Sequence, residues 1–131
     1  MTTEQFFEQL DTRIAKYDLL CHPFYQAWSA GELTREDLRE YARDYYHHVE
    51  AFPGYLAELS IRLDESELRR AVLANMADEK GMADGCGEGS PAHSEIWLDF
   101  AEGMGAARDL RGHRPVPEIK ELTAFFPSSG K

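Results

Sequence analysis

The sequence predicts an all-α protein. Apolar residues recur every three or four positions through most of its 131 residues, which is the period of an amphipathic helix. No stretch shows the strict alternation of apolar and polar residues that predicts a strand. Glycine and proline separate the apolar stretches at helix-like intervals. The length is that of one domain with a real core, so we expect a single helical domain over residues 1–131.

The first two helices are expected on either side of a proline. Phe6, Leu10 and Ile14 share one face of a first helix, which we expect to end by the His22–Pro23 junction, because a residue before proline is pushed out of the α conformation. Pro23 suits the first turn of a short second helix through Trp28.

A long third helix should follow. Thr34 and Asp37 stand three residues apart and resemble a capping box, with aspartate in place of the usual glutamate. Pro53 is expected to kink this helix or to restart it. The apolar face predicted to point inward carries Leu38, Tyr41, Tyr45, Val49 and Phe52.

Two polar side chains fall on the apolar stripes of the next two helices. In the fourth helix, which Asp64 and Glu67 would cap, the stripe ends on Glu79; in the fifth, His93 opens it. A carboxylate and an imidazole inside a core are costly unless paired, protonated or bound to a metal. A metal site is therefore one hypothesis; a solvated Glu79 and a His93 that donates a hydrogen bond at a helix start are the alternatives. The stripes consist of Leu68, Val72, Met76 and Glu79, and of His93, Ile96, Trp97, Phe100 and Met104.

The segments after these helices look irregular. Residues 80–91 hold four glycines and a proline and predict a Gly-rich connection. No lysine follows it and no strand precedes it, so it is not a phosphate-binding loop. From about residue 106 the apolar pattern weakens, and we expect a weakly structured tail that ends in an apolar cluster around Phe125 and Phe126.

Composition excludes several classes of partner. A formal charge of −10 would repel nucleic acid and anionic membranes. No apolar run has the length of a membrane span, and no secretory signal is present, so a cytoplasmic location is expected. Cys21 and Cys86 are too few for a disulfide framework and are expected to be free thiols.

Several runs resemble one helical family. They are Leu20 to Trp28 (LCHPFYQAW), Asp44 to His48 (DYYHH), Ala51 to Pro53 (AFP), Asn75 to Glu79 (NMADE) and His93 to Ala101 (HSEIWLDFA). Together they are similar to the haem-oxygenase-like (TenA/THI-4/PqqC-like) proteins, and most similar to the CADD-type 4-aminobenzoate synthases, an iron-containing redox enzyme family. The resemblance implies a haem-oxygenase-like multi-helix bundle, here lacking its C-terminal helices.

The resemblance also implies a site. It makes Glu79 and His93 ligands of a dinuclear iron centre, or of a mixed iron–manganese centre, and it makes Tyr25 the sacrificial source of the 4-aminobenzoate ring. A second glutamate and a His-x-x-x-Asp-x-x-His helix have no counterpart in this chain. The residues expected to line the pocket are His22, Trp28, Tyr41 and Tyr45. His47 and His48 lie one turn after Asp44, so a solvent-facing Asp–His pair is expected there.

Three functions are consistent with these observations. The leading one is a non-haem di-iron oxygenase of 4-aminobenzoate formation, which would use dioxygen and a reductant. The second is a metal-free oxidase similar to pyrroloquinoline-quinone synthase. The third is a metal-free helical interaction module. Because the resemblance leaves two apolar stripes without covering helices, we also expect a homodimer or another association through the exposed apolar face.

Overall fold

The described part of the protein is helical. The computed structural model describes residues 1–82 and 89–129, and within those ranges it has six α-helices and no strand. The predicted all-α class is therefore confirmed. The helices are α1 (Thr3–Lys16), α2 (Pro23–Ser29), α3 (Arg35–Arg62), α4 (Glu67–Glu79), α5 (His93–Gly103) and α6 (Pro117–Ser129).

The chain forms two compact units, and the first is Met1–Thr34. Helix α1 begins at a capping box in which the Thr2 hydroxyl accepts the Gln5 N–H and the Gln5 side chain accepts the Thr2 N–H. It ends at Lys16, before the expected His22–Pro23 junction, because Asp18 accepts the Leu20 N–H and starts a short 3₁₀ turn.

The second unit, Arg35–Lys131, is built along α3. Helix α4 returns along α3 after a short connection. Helix α5 also runs antiparallel to α3: Arg35 at the start of α3 donates to the Gly103 carbonyl at 2.7 Å, and the indole of Trp97 donates to the Ala42 carbonyl at 2.7 Å. The start of α5 therefore lies beside the middle of α3.

Two boundaries differ from the sequence expectation. Helix α3 runs without a break through Pro53, which is buried, so the helix does not restart there. The N-cap of α4 is Ser66, whose hydroxyl accepts the Arg69 N–H, and not Asp64. A cap is decided by which short polar side chain reaches the free N–H groups of the first turn, and Ser66 stands directly before it.

Small residues let α3 and α5 approach closely. Ala42 and Ala101 are fully buried and belong to one buried cluster. Trp97 and Phe100 pack against this cluster. Trp97 of α5 contacts Tyr41 and Tyr45 of α3, with ring centroids 5.3–5.4 Å apart. The buried cluster consists of Ala42, Tyr46, Leu98, Ala101, Ala106 and Leu110.

The segment after α5 is fastened to α3 by polar contacts. The Asp44 carboxylate accepts both the His113 ring N–H and the Val116 backbone N–H at 3.2 Å, and Arg111 pairs with Glu50 at 2.7 Å. Helix α6 follows, where the sequence predicts only a weakly structured tail. The prediction of a solvent-facing pair between Asp44 and His47 or His48 is wrong, because the Asp44 carboxylate bonds to His113.

Part of the predicted apolar stripes stays exposed. Leu68 on α4 is 60% exposed and Ile96 on α5 is 50% exposed, whereas Val72, Met76 and Trp97 are half-buried. Association through this face remains a prediction. Among the described residues, no helix combines the length and the apolar character needed to cross a membrane.

Candidate metal centre

Glu79 and His93 meet where α4 ends and α5 begins. His93 Nδ1 lies 2.7 Å from Glu79 Oε2. Glu79 is the last residue of α4 and His93 the first of α5, so the pair joins two helix termini across the Gly-rich connection predicted for residues 80–91. Residues 83–88 of that connection lie outside the described residues.

Gly81 allows this close approach. The N–H of Gly81 bonds to the Asp78 carbonyl and that of Met82 to the Ala77 carbonyl, which is a Schellman ending with glycine in the left-handed conformation at φ +67°. A Cβ at position 81 would overlap the Ser90 carbonyl oxygen and lie 2.8 Å from the Ala92 nitrogen. The chain therefore returns against the end of α4 at a residue that has no side chain.

Replacing Gly81 with alanine should destabilise the protein and separate the pair. The left-handed backbone and the overlap with Ser90 should together cost more than about 2 kcal/mol in the free energy of unfolding. Urea unfolding followed by circular dichroism measures the change. Gly54→Ala is the matched control, because Gly54 lies within α3 and no atom of the described residues lies within 4 Å of its missing Cβ. Its free energy of unfolding should rise by about 0.5–1 kcal/mol. Equal stability of Gly81→Ala and the wild type would contradict the prediction.

The carboxylate is mostly shielded from solvent. The Glu79 side chain is 15% exposed and that of His93 is 44% exposed, so the solvated alternative for Glu79 is wrong. A carboxylate at the C-terminus of its own helix is unfavourable, but here it faces a residue of the first turn of α5, where the helix dipole favours negative charge. The contact with His93 provides the partner that a shielded carboxylate requires.

The pair stands at the edge of an aromatic cleft of about 480 Å³. Tyr45 and Trp97 form one wall, with ring centroids 5.3 Å apart. Tyr41 stacks on Tyr45 at 5.3 Å and touches Trp97 edge-on, and so supports that wall from outside the cleft lining. The remaining lining residues are His48, Val49, Phe52, Glu79, His93 and Ile96.

His48 is a cleft residue that sequence reasoning assigned to the surface. Its ring packs among Tyr45, Phe52 and Tyr55 at 5.2–5.9 Å, and its Nδ1 is buried with no hydrogen-bond partner among residues 1–82 and 89–129. Burial lowers the pKa of the imidazole, so the ring is neutral at neutral pH. The signal in the sequence was its position next to Val49, three residues after Tyr45 and four residues before Phe52, all of which lie on the predicted inward face.

His48 should make the protein less stable in mild acid. Because its folded pKa lies below the unfolded value of about 6.5, the unfolded chain binds more protons, and stability falls as the pH drops below about 6.5. His48→Phe removes this contribution. Urea unfolding at about pH 7.5 and about pH 5.5 should therefore show a smaller loss of stability for His48→Phe than for the wild type. An identical loss in both proteins would contradict the prediction.

The other predicted site residues belong to the first unit. Tyr25 is half-buried, with its ring 5.3 Å from Phe24 and 6.5 Å from His22. His22 is exposed and caps α2, since its Nδ1 accepts the Phe24 N–H, and Trp28 is 44% exposed. The roles of Tyr25, His22 and Trp28 in a pocket stay predictions.

The Glu79–His93 pair fits two positions of a metal site. Two ligand atoms bound at about 2.1 Å and at right angles to each other lie about 3 Å apart, close to the observed 2.7 Å. Carboxylate oxygen and imidazole nitrogen are donors that iron and manganese accept. Within residues 1–82 and 89–129, no further His, Cys, Asp or Glu completes a cluster of three. The donor chemistry fits, and the described residues provide two donors.

The fold and the site indicate the class of protein. It is a helical protein with a carboxylate–imidazole pair at the edge of an aromatic cleft. The chain belongs to the TENA/THI-4/PQQC family, whose model matches residues 8–131. The family resemblance read from the sequence is therefore confirmed, and with it the haem-oxygenase-like helical fold.

Two of its relatives carry the same name. The chain is 40% identical over 122 residues to a 4-aminobenzoate synthase of Chlamydia muridarum (strain MoPn / Nigg), covering 92% of this chain and 49% of the relative. It is 35% identical over 136 residues to a 4-aminobenzoate synthase of Nitrosomonas europaea, covering 96% of this chain and 52% of the relative. The chain thus spans about half the length of these relatives.

A differently named relative matches a shorter stretch. The chain is 36% identical over 89 residues to the pyrroloquinoline-quinone synthase of Acidiphilium cryptum (strain JF-5), covering 68% of this chain and 34% of the relative.

Proposed function

We propose that this chain carries part of the site of an iron-dependent oxygenase that forms 4-aminobenzoate. The observation that carries the proposal is the 2.7 Å contact of Glu79 and His93 at the edge of the aromatic cleft. The similarity to 4-aminobenzoate synthases over more than nine-tenths of the chain supports it. Iron bound by this pair would supply the activation of dioxygen.

The chain's own residues prepare the site for this chemistry. Glu79 and His93 would hold the iron through one oxygen and one nitrogen. The aromatic wall of Tyr45 and Trp97 lines the same cleft as the pair, whose Glu79 side chain is 15% exposed. A partly shielded site strengthens the attraction between a carboxylate and a cation, because less water screens it. Among the described residues, no lysine or arginine lines this cleft.

Tyr25 is the residue proposed to provide the product ring. Its role comes from the family resemblance, and its partial burial among Phe24 and His22 is compatible with a fixed orientation. Dioxygen would be the oxidant, an added reductant would supply electrons, and an amine donor such as lysine would supply the nitrogen that replaces the phenol oxygen. The bond between Cα and Cβ of Tyr25 would break, so that Cβ becomes the carboxylate carbon of the product. Because the ring would come from the protein itself, each chain would make at most one product molecule.

Tyr25→Phe should abolish 4-aminobenzoate formation and leave the thermal melt nearly unchanged. Phenylalanine keeps the ring contacts but lacks the phenol oxygen at which oxidation would begin. The assay incubates iron-loaded protein with dioxygen and a reductant and detects the product by mass spectrometry. The matched control is Tyr17→Phe, since Tyr17 is exposed in the same unit. Undiminished product from Tyr25→Phe would remove Tyr25 from the chemistry, and no product from the wild type would contradict the function for this chain.

A further inference from the structure

His48 is a further polar residue of the cleft, in addition to the Glu79–His93 pair. His48 lines the same cleft, on the middle of α3. In the described part of the chain its Nδ1 is enclosed and has no partner. A buried polar atom without a partner costs about 1–3 kcal/mol, so the imidazole needs an explanation that packing does not give.

Packing alone would favour phenylalanine at this position. The His48 ring lies among the rings of Tyr45, Phe52, Tyr55 and Phe126, with centroids 5.2–6.1 Å away. A phenylalanine ring would fill similar space and leave no nitrogen unpaired. What the imidazole adds is a further polar group in a cleft whose other lining residues are mostly apolar.

The environment of Nδ1 indicates which nitrogen a ligand can use. A neutral imidazole carries one proton, and an enclosed N–H without an acceptor is costlier than an enclosed lone pair. The proton therefore belongs on Nε2, which makes Nε2 a hydrogen-bond donor. A donor in an aromatic cleft suits a planar ring that bears an oxygen acceptor.

We propose that His48 is a positioning residue that donates a hydrogen bond from Nε2 to the oxygen of a phenol ring bound in this cleft. The inference deepens the proposed function and rests on it for the choice of a phenol. The Glu79 carboxylate at the same cleft and the net charge of −10 disfavour an anionic ring in the metal-free protein. A neutral phenol has no such penalty.

Two small probes of equal shape test the hydrogen bond. Binding of p-cresol and of p-toluidine to the metal-free 131-residue chain is measured by NMR titration at neutral pH. The phenol oxygen accepts a hydrogen bond well, whereas the aniline nitrogen is a poor acceptor. We expect p-cresol to bind about fivefold more tightly, as one ordinary hydrogen bond provides. In His48→Phe this preference should vanish while the thermal melt is unchanged or higher.

Matched variants separate a positioning role from a structural one. His47→Phe changes the neighbouring ring, which stacks on His113 and does not line the cleft, and it should keep the preference. His48→Gln, which retains an N–H donor, should recover part of it. Long-range proton–nitrogen spectra of the wild type should show His48 as the Nε2–H tautomer and a shift of that nitrogen with p-cresol. This last measurement decides the matter even if His48→Phe does not fold.

The outcomes separate this inference from the proposed function. A preference for p-cresol that survives in His48→Phe, a wild type that binds neither probe, or an Nδ1–H tautomer overturns the role of His48. Because the measurement uses neither metal nor turnover, p-cresol binding through His48 without any 4-aminobenzoate formation would uphold this inference and contradict the proposed function. Equal product formation in the wild type and His48→Phe would uphold the proposed function and contradict this inference.

Discussion

Replacing Glu79 or His93 with alanine is expected to lower iron binding by at least about tenfold. The two donor atoms lie 2.7 Å apart. Each substitution removes one of them, so that the pair offers the metal a single donor atom. The measurement is the iron content of the protein after anaerobic loading with Fe²⁺ and removal of excess metal. Isothermal titration with Fe²⁺ gives the affinity independently.

Glu95→Ala is the matched control for this experiment. Glu95 lies in the first turn of α5, close in sequence to His93, but its exposed carboxylate pairs with Arg108 at 3.1 Å. Its removal changes the net charge by the same amount as Glu79→Ala and should leave the iron content unchanged. Equal iron in the wild type, Glu79→Ala and His93→Ala would contradict a ligand role for the pair, as would a wild type that binds no iron.

The helices were largely predictable because their signals are local. Apolar periodicity located α3, α4 and α5, and Pro23 marked the start of α2. The boundaries that differ were decided by single side chains: Asp18 starts the turn after α1, and Ser66 rather than Asp64 caps α4. Several short polar residues stand near each helix start, and the sequence does not show which one reaches the free N–H groups.

The structure of the segment after α5 depends on contacts between residues that are far apart in the sequence. Asp44 holds His113 and Val116 from positions 69 and 72 residues away, and these bonds fix the chain just before α6 begins. The same bonds explain why the interpretation of His48 was wrong. The sequence predicted that Asp44 would pair with a histidine one turn away. Asp44 instead accepts hydrogen bonds from His113 and Val116, and His48 lines the cleft.

The Glu79–His93 pair could be predicted for a different reason. Each polar side chain broke an apolar stripe, and such a break is informative because burial of an unpaired charge is costly. The stripes indicated that both residues point inward, while the distance between them depended on Gly81, which brings Ser90 and Ala92 back against the end of α4. The ligand roles of both residues stay predictions that the iron measurement tests.

Trp97→Ala is expected to cause the largest loss of stability in the second unit. The indole packs against Tyr41, Tyr45 and Phe100 at 5.3–5.4 Å, and its N–H donates to the Ala42 carbonyl at 2.7 Å. Truncating a large aromatic side chain that packs on a core costs about 3 kcal/mol or more. Because a domain of this size has about 5–15 kcal/mol of stability in total, urea unfolding should show a marked shift of the midpoint.

Two further substitutions divide this loss into its parts. Trp97→Phe keeps an aromatic ring against Tyr45 but removes the hydrogen bond to Ala42, and should cost about 1 kcal/mol from that bond and a smaller amount from lost contact area. Trp28→Ala changes the other tryptophan, which is 44% exposed in the first unit, and should cost less than Trp97→Ala. Since Trp97 also forms a wall of the cleft, Trp97→Ala should weaken p-cresol binding as well. A Trp97→Ala protein as stable as Trp28→Ala would show that α5 is held to α3 by its other contacts, above all the buried Leu98 and Ala101.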